Sequence, residues 1–159
     1  MRIYTIGVYG STEQGFFNKL VENRIDTFCD IRRRRGVRGS EYAFVNSNRL
    51  QTKLAELDIK YRHVLDLAPT TEIREMQYEV DLKQGNKKRD RNQLGDVFFI
   101  AYKNMVMQKF NFDNFVEKLD EIGASRIVLF CVETKPEACH RSIVAFELNK
   151  RFNFEITHL

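Results

Sequence analysis

The run Ile127 to Val132 holds six apolar residues without interruption, and it narrows the possible folds more than any other stretch. Bounded by turn residues, such a run is a buried strand. Around it, short β-branched and aromatic runs alternate with stripes of helical period. That alternation predicts a single α/β domain over residues 1–159, with a mostly parallel sheet covered by helices on both faces. Right-handed crossovers would bring every strand exit to one side of the sheet. Ligands bind in that region of an open α/β sheet.

The other elements follow from local signals. Arg2 to Ile6 reads as a first strand ended by Gly7, and Gly7 and Gly10 make a turn where backbone can approach a ligand closely. Ser11 is placed as the cap of a helix with Phe16, Phe17, Leu20 and Val21 on its apolar face. Ile25 to Ile31 is a second strand ending at Asp30 and Arg32. Ser47 caps a helix bearing Leu50, Leu54 and Leu57. Tyr61 to Leu65 is a third strand with a structural His63, and Asp66 stands at its exit. A helix begins at Pro69, Thr70 and Thr71, with Ile73, Met76 or Gln77, and Val80 inward. Val97 to Met107 is an apolar helix. Phe112, Phe115, Val116 and Leu119 face inward on the next, which Gly123 ends. Phe152 to Ile156 is a last short strand, with His158 at its exit.

The buried strand at Ile127 breaks into a polar turn and restarts as a helix carrying Cys139, His140 and Arg141 in a row. Thr134 and Glu137 fit a capping box, although a start nearer Glu137 also fits. Either start puts the three residues near a helix N-terminus, where unpaired N–H groups and the helix dipole favour an anion. The same field lowers a thiol pKa, and a neighbouring arginine lowers it further. Cys139 is thus a candidate thiolate nucleophile, and Arg141 a candidate clamp for phosphate or carboxylate. The structural alternative makes Cys139 a small buried hydrophobe and pairs Arg141 with Glu137. Cys131, Cys139 and His140 are ligand types suited to zinc, but they lack the C-x₂₋₄-C spacing of a structural site. No metal and no cofactor are expected.

Charge adds a second theme. The net charge is only +4, but the basic residues cluster. RRRRGVRGS, residues 32–40, holds five arginines and two glycines in nine residues, which excludes a core element. Arginine suits planar recognition of phosphate, and Gly36 and Gly39 let the loop fold tightly. Arg32 and Arg38 are expected to point inward and Arg33 to Arg35 partly to solvent. A second basic run, KQGNKKRDR at residues 83–91, reads as a mobile surface loop near 83–95. Both runs favour an anionic small molecule or a nucleic acid as partner. No apolar stretch is long enough to span a bilayer, and the start lacks a signal-peptide pattern, so a cytoplasmic protein without a membrane partner is the default. The three cysteines are odd in number and are not expected to form structural disulfides.

Gly7, Asp30, Arg32, Arg38, Asp66, Glu133, Cys139, His140, Arg141 and His158 are therefore expected at one end of the sheet. Glu133 or Asp30 would serve as base, Cys139 and His140 as further catalytic groups, and Arg32, Arg38, Arg141 and the Gly7 backbone as anion contacts. The sequence contains no phosphate-binding G-x-x-x-x-G-K-[ST], no G-x-G-x-x-G and no G-x-S-x-G. Three readings compete: an enzyme acting on a phosphorylated, nucleotide or nucleic-acid-linked substrate; a nucleic-acid-binding module without catalysis; and a thiol-based ligand or redox sensor.

The motifs together resemble the domain-of-unknown-function family 488. The matching residues are Tyr4-Thr5-Ile6-Gly7, Asp30-Ile31-Arg32, Phe44 to Asn46, Ile59 to His63, the pair Cys131-x-Glu133, the triplet Cys139-His140-Arg141, and Thr157-His158-Leu159. The resemblance implies the same compact α/β fold and a site at these residues, with no reaction attached. The chain departs from the family pattern in three places. Val8 and Tyr9 follow Gly7 where the family commonly has His-Ser. RRRRGVRG replaces a proline-bearing segment, with Arg38 where a family arginine is expected. Leu67-Ala68-Pro69 replaces Leu-Gly-Gly. The resemblance thus implies an arginine-loop subgroup with a remodelled site.

Overall fold

The computed structural model describes residues 1–85 and 91–159. Part of the basic loop expected near 83–95, residues 86–90, lies outside the described residues. Five strands form one sheet: β1 (Arg2–Ile6), β2 (Thr27–Asp30), β3 (Lys60–His63), β4 (Arg126–Phe130) and β5 (Glu155–His158), in the order β3-β2-β4-β1-β5. Every pairing is parallel. Alternate side chains go to opposite faces, as strand geometry requires. Tyr4, Ile6, Phe28, Val128 and Phe130 enter one core, and Ile3, Cys29, Ile127 and Leu129 enter the other.

The first core is closed by α1 (Glu13–Glu22) and α2 (Ser47–Glu56), through Phe16, Phe17, Leu20, Leu50 and Leu54. The second is closed by α3 (Thr71–Lys83), α4 (Asp96–Tyr102), α5 (Phe112–Glu121) and α6 (His140–Phe152). Each fully buried Leu or Phe on these stripes stabilises by about 1.5–3 kcal/mol relative to exposure. The fold is therefore α/β with helices on both faces, as the alternation predicts. No helix among the described residues is long and apolar enough to cross a membrane.

Several boundaries differ from expectation for local reasons. Thr12 rather than Ser11 caps α1, its Oγ1 accepting from Gly15 N–H at 3.0 Å. Ser47 is the first residue of α2, and Asn46 stands at the cap without capping. The Asn46 Oδ1 instead accepts from Val37 N–H at 2.7 Å and so holds the arginine loop. On α3 the buried positions are Ile73, Gln77 and Asp81, whereas Val80 is only half-buried. Gln77 Nε2 donates to Asp81 Oδ1 at 2.8 Å, so polar pairing takes the inner stripe. The expected helix 97–107 splits into α4 and a π-turn over Lys103–Met107.

At the entry end of the sheet, Asp26 joins β2 to β4. Its Oδ2 accepts from Ser125 N–H at 2.9 Å, Ser125 Oγ at 2.7 Å and Arg126 N–H at 2.8 Å. Burial opposes its charge, but the hydrogen bonds from Ser125, Thr27 and Arg126 outweigh burial and hold the carboxyl below its usual range. A depressed folded-state pKa contributes stability above the unfolded value of about 3.9, and that contribution is lost as pH falls through the folded value. Asp26→Asn is accordingly expected to cost about 1 kcal/mol at neutral pH. The gap between wild-type and variant urea midpoints should close in acid, where the wild-type carboxyl is protonated. A gap that stays constant down to the acid transition would refute the role given to the charge.

Candidate functional site

The topology marks one strand exit. Connections leaving β1 and β2 run through α1 and α2 on one face, while the connection leaving β4 runs through α6 on the other. Strand β4 lies between β1 and β2, so its carboxyl end is a topological switch point, where α/β sheets bind ligands. The backbone leaving β4 stays beside that leaving β1: Cys131 N–H donates to Ile6 O at 3.3 Å, and Val8 N–H to Val132 O at 3.1 Å. Gly7 makes this approach possible. A Cβ there would lie 1.9 Å from the Glu133 carbonyl oxygen.

The capping box at Thr134 does not form. The Thr134 hydroxyl donates to Tyr9 O at 2.9 Å, and Pro136–Ala138 makes a 3₁₀ turn. Cys139 itself is the N-cap of α6, in extended backbone and without a side-chain capping bond. Arg141 is the second residue of α6 and is 1% exposed. Its Nη1 donates to Glu133 O at 2.5 Å and its Nη2 to Thr134 O at 2.9 Å. Both amino groups donate to the turn after β4, so Arg141 fixes the strand exit, whereas its sequence position suggests an anion clamp.

That turn and the helix start bring four functional groups together. Cys131, Glu133, Cys139 and His140 are each 8% exposed or less, and all four line one cavity of about 670 Å³. The Cys139 Sγ lies 3.8 Å from His140 Nδ1. His140 Nε2 is 3.0 Å from Ile31 O, which can only accept, so Nε2 carries the proton and Nδ1 presents a lone pair in the neutral ring. Tyr102 packs edge-on against His140 at 5.5 Å and is anchored by donating to Leu67 O at 2.5 Å. Burial pushes the Cys139 thiol up, but the Cys131 hydrogen bond, the Arg141 charge and the Arg141 N–H together bring it down to about 7. Cys131, the donor in that bond and itself buried, is pushed well up. Burial likewise raises Cys29, in the core, to about 12.

Asp30 and Arg32 form a closed unit beside this floor. Arg32 Nε donates to Asp30 Oδ1 at 2.9 Å and Nη2 to Oδ2 at 2.7 Å, a bidentate pair with side chains 3% and 0% exposed. Tyr61 also donates to Asp30 at 3.0 Å, and the Arg32 guanidinium lies 4.4 Å from the Phe130 ring centroid. The lining of the cavity includes Arg32 but not Asp30. A carboxylate held this way is a counter-ion to Arg32, set apart from the cavity lining where the expected base would stand. Arg32 retains one buried donor, Nη1, without a hydrogen-bond partner.

The cavity rim is basic. Arg33, Arg34 and Arg38 from the loop, Arg74 from α3 and Arg91 line it with Arg32. Arg38 is exposed rather than inward. Arg91 pairs with the buried Asp81. Tyr9, Tyr78 and Phe98 add aromatic surface. Arg74 and Tyr78 are functional candidates that sequence reasoning missed, although Thr71, Arg74, Glu75 and Tyr78 form a helical stripe at i, i+3, i+4 and i+7 that could have signalled them. Two expected members lie elsewhere. Asp66 lines a separate cavity of about 890 Å³ with His63. His158 Nδ1 lies 2.7 Å from Thr5 Oγ1 at the end of β5, outside the lining of the first cavity.

Comparison with known proteins gave one match. No curated protein and no solved structure matches the chain. A family model described as "Domain of unknown function DUF488" matches residues 13–148, a span that contains Arg32, Glu133 and Cys139 to Arg141 and leaves out Gly7 and His158. The match covers most of the 159 residues, and the chain belongs to the DUF488 family.

Proposed function

We propose that the protein is an enzyme acting on a phosphate-bearing substrate, whether a phosphorylated compound, a nucleotide or a nucleic-acid end, in the cavity at the exit of β4. The observation that carries this reading is the meeting of an arginine rim with a buried floor of carboxylate, thiols and imidazole in one cavity. Arginines bind phosphate through planar, charge-assisted hydrogen bonds. Arg38 and Arg74 supply these at the rim, and the unpartnered Nη1 of Arg32 supplies one at depth. Glu133 moves protons at the reacting centre, as a carboxylate within reach of a bound substrate does. The Cys139 and His140 pair stands at the reacting centre itself. A pure binding module needs the rim alone and has no use for buried thiols and a buried glutamate.

The test separates binding from turnover. Adenosine monophosphate and a short single-stranded oligonucleotide are titrated at two salt concentrations, and release of inorganic phosphate or nucleoside is followed across a panel of phosphate esters. Binding is expected to weaken with salt, and Arg38→Ala should weaken it by about tenfold, as loss of a charged hydrogen bond implies. Glu133→Gln and Cys139→Ser should abolish turnover while the far-ultraviolet circular dichroism stays native. Binding with no turnover on any ester would replace the enzyme by a binding module. Absence of binding at low salt would remove the anion reading altogether.

A further inference from the structure

We infer that Cys131, Cys139 and His140 form a zinc site with an open fourth position facing the arginine-lined cavity. The Sγ atoms of both cysteines and a ring nitrogen of His140 all lie within 4.8 Å of one another. Tetrahedral zinc with bonds of about 2.3 Å to sulfur and about 2.0 Å to nitrogen separates its ligands by about 3.5–3.8 Å. The lower figure is the sulfur–nitrogen separation, and the Cys139 Sγ to His140 Nδ1 distance of 3.8 Å comes within about 0.3 Å of it. A second observation is independent of the cluster. His140 donates its far N–H to the Ile31 carbonyl at 3.0 Å, the outer hydrogen bond that fixes tautomer and ring orientation in metal-bound histidines. Three protein ligands with one side open is the pattern of catalytic zinc, whereas structural zinc has four. All three ligands line the cavity, so the fourth position opens where a substrate sits.

The inference deepens the proposed function and rests on it for the substrate. Zinc lowers the pKa of a bound water to about 7 and so supplies hydroxide at neutral pH. Glu133, two residues after the ligand Cys131, takes the proton that the water loses. The same order, a ligand followed two residues later by a non-ligand glutamate that moves protons, serves zinc-dependent deaminases. Here the hydroxide adds to the electrophilic centre of the phosphate-bearing substrate. The bond to the leaving group breaks, and Glu133 returns its proton to that group. One water is consumed and no redox partner is needed. Cys139 is then a ligand and not the nucleophile.

The full-length protein is stripped with a chelator, then titrated with zinc and, separately, with cobalt(II) as a spectroscopic stand-in. The expected result is about one metal per chain by elemental analysis, with cobalt giving thiolate charge-transfer bands and the intense visible bands of tetrahedral coordination. Cys131→Ser and His140→Gln should each weaken zinc binding by at least about 100-fold, and Cys29→Ala, which removes a thiol from the core, should leave it unchanged. If Cys131→Ser does not fold, His140→Gln carries the test. No retained metal, cobalt spectra without thiolate bands, or binding that survives both ligand changes would each overturn the site. Adenosine monophosphate binding is measured on the same samples. Its absence from a zinc-loaded protein would sink the substrate reading and leave the metal site standing, and its persistence in a protein that takes no zinc would do the reverse.

Discussion

Asp30→Ala is expected to destabilise the protein by about 3–5 kcal/mol, the usual cost of leaving one partner of a buried ion pair uncompensated. The substitution strips Arg32 of three hydrogen bonds, from its backbone N–H at 3.1 Å, Nε at 2.9 Å and Nη2 at 2.7 Å, while its side chain is 3% exposed. The guanidinium keeps only its bond to Val45 O at 3.0 Å, its long contact to Arg35 O and its contact with the Phe130 ring. Tyr61 loses its acceptor as well. The double change Asp30→Ala with Arg32→Met should recover most of the loss, because an apolar replacement of a buried pair is often neutral. Urea unfolding of the two single variants and the double variant gives the coupling directly. A coupling near zero would mean that the two side chains do not act as a unit. An Asp30→Asn protein with native stability and no turnover would return Asp30 to the catalytic role that its position in the sequence suggests.

Asp30 shows what the sequence leaves open. A carboxylate at a strand exit looks the same in sequence whether it faces a ligand or a neighbouring arginine, because the pairing depends on how residues 31 and 32 turn. The fold was more legible. Six uninterrupted apolar residues at 127–132 and helical stripes such as Phe16, Phe17 and Leu20 report burial through their own periodicity, and the parallel α/β sheet follows. The candidate site was legible in part. Glu133, Cys139 and His140 flank a strand exit, so strand direction alone brings them together. The sequence spacing of Cys131 and Cys139 argues against a shared metal. The 3₁₀ turn at Pro136–Ala138 folds that gap back on itself and brings the sulfurs together. Arg74 belongs to a helix distant in sequence from β4, and only packing reveals which side of that helix meets the cavity.

Gly7→Ala should be the most damaging small substitution at the site, with an expected loss of about 2–5 kcal/mol from overpacking and broken hydrogen bonds. The added Cβ would lie 1.9 Å from Glu133 O, 2.8 Å from Glu133 C and 3.2 Å from Arg141 Nη1. Two of those neighbours are backbone atoms and cannot rotate away. The Glu133 carbonyl must move, and its 2.5 Å bond from Arg141 is the first to break. Arg141 then keeps only Thr134 O, while its Nε already lacks a partner. The displacement passes to the floor, since Glu133 and Cys131 share the strand exit that Arg141 holds. Gly10→Ala is the matched control. Gly10 has a φ of +83° and nothing within 4 Å of where a Cβ would stand, so its cost is conformational, about 1 kcal/mol, and local. Thermal unfolding should therefore rank Gly7→Ala well below Gly10→Ala, and cobalt bands should be altered only in the first. Equal losses in the two proteins would mean that the turn after β1 needs glycine for flexibility alone, and that the close approach to Glu133 does not hold the site.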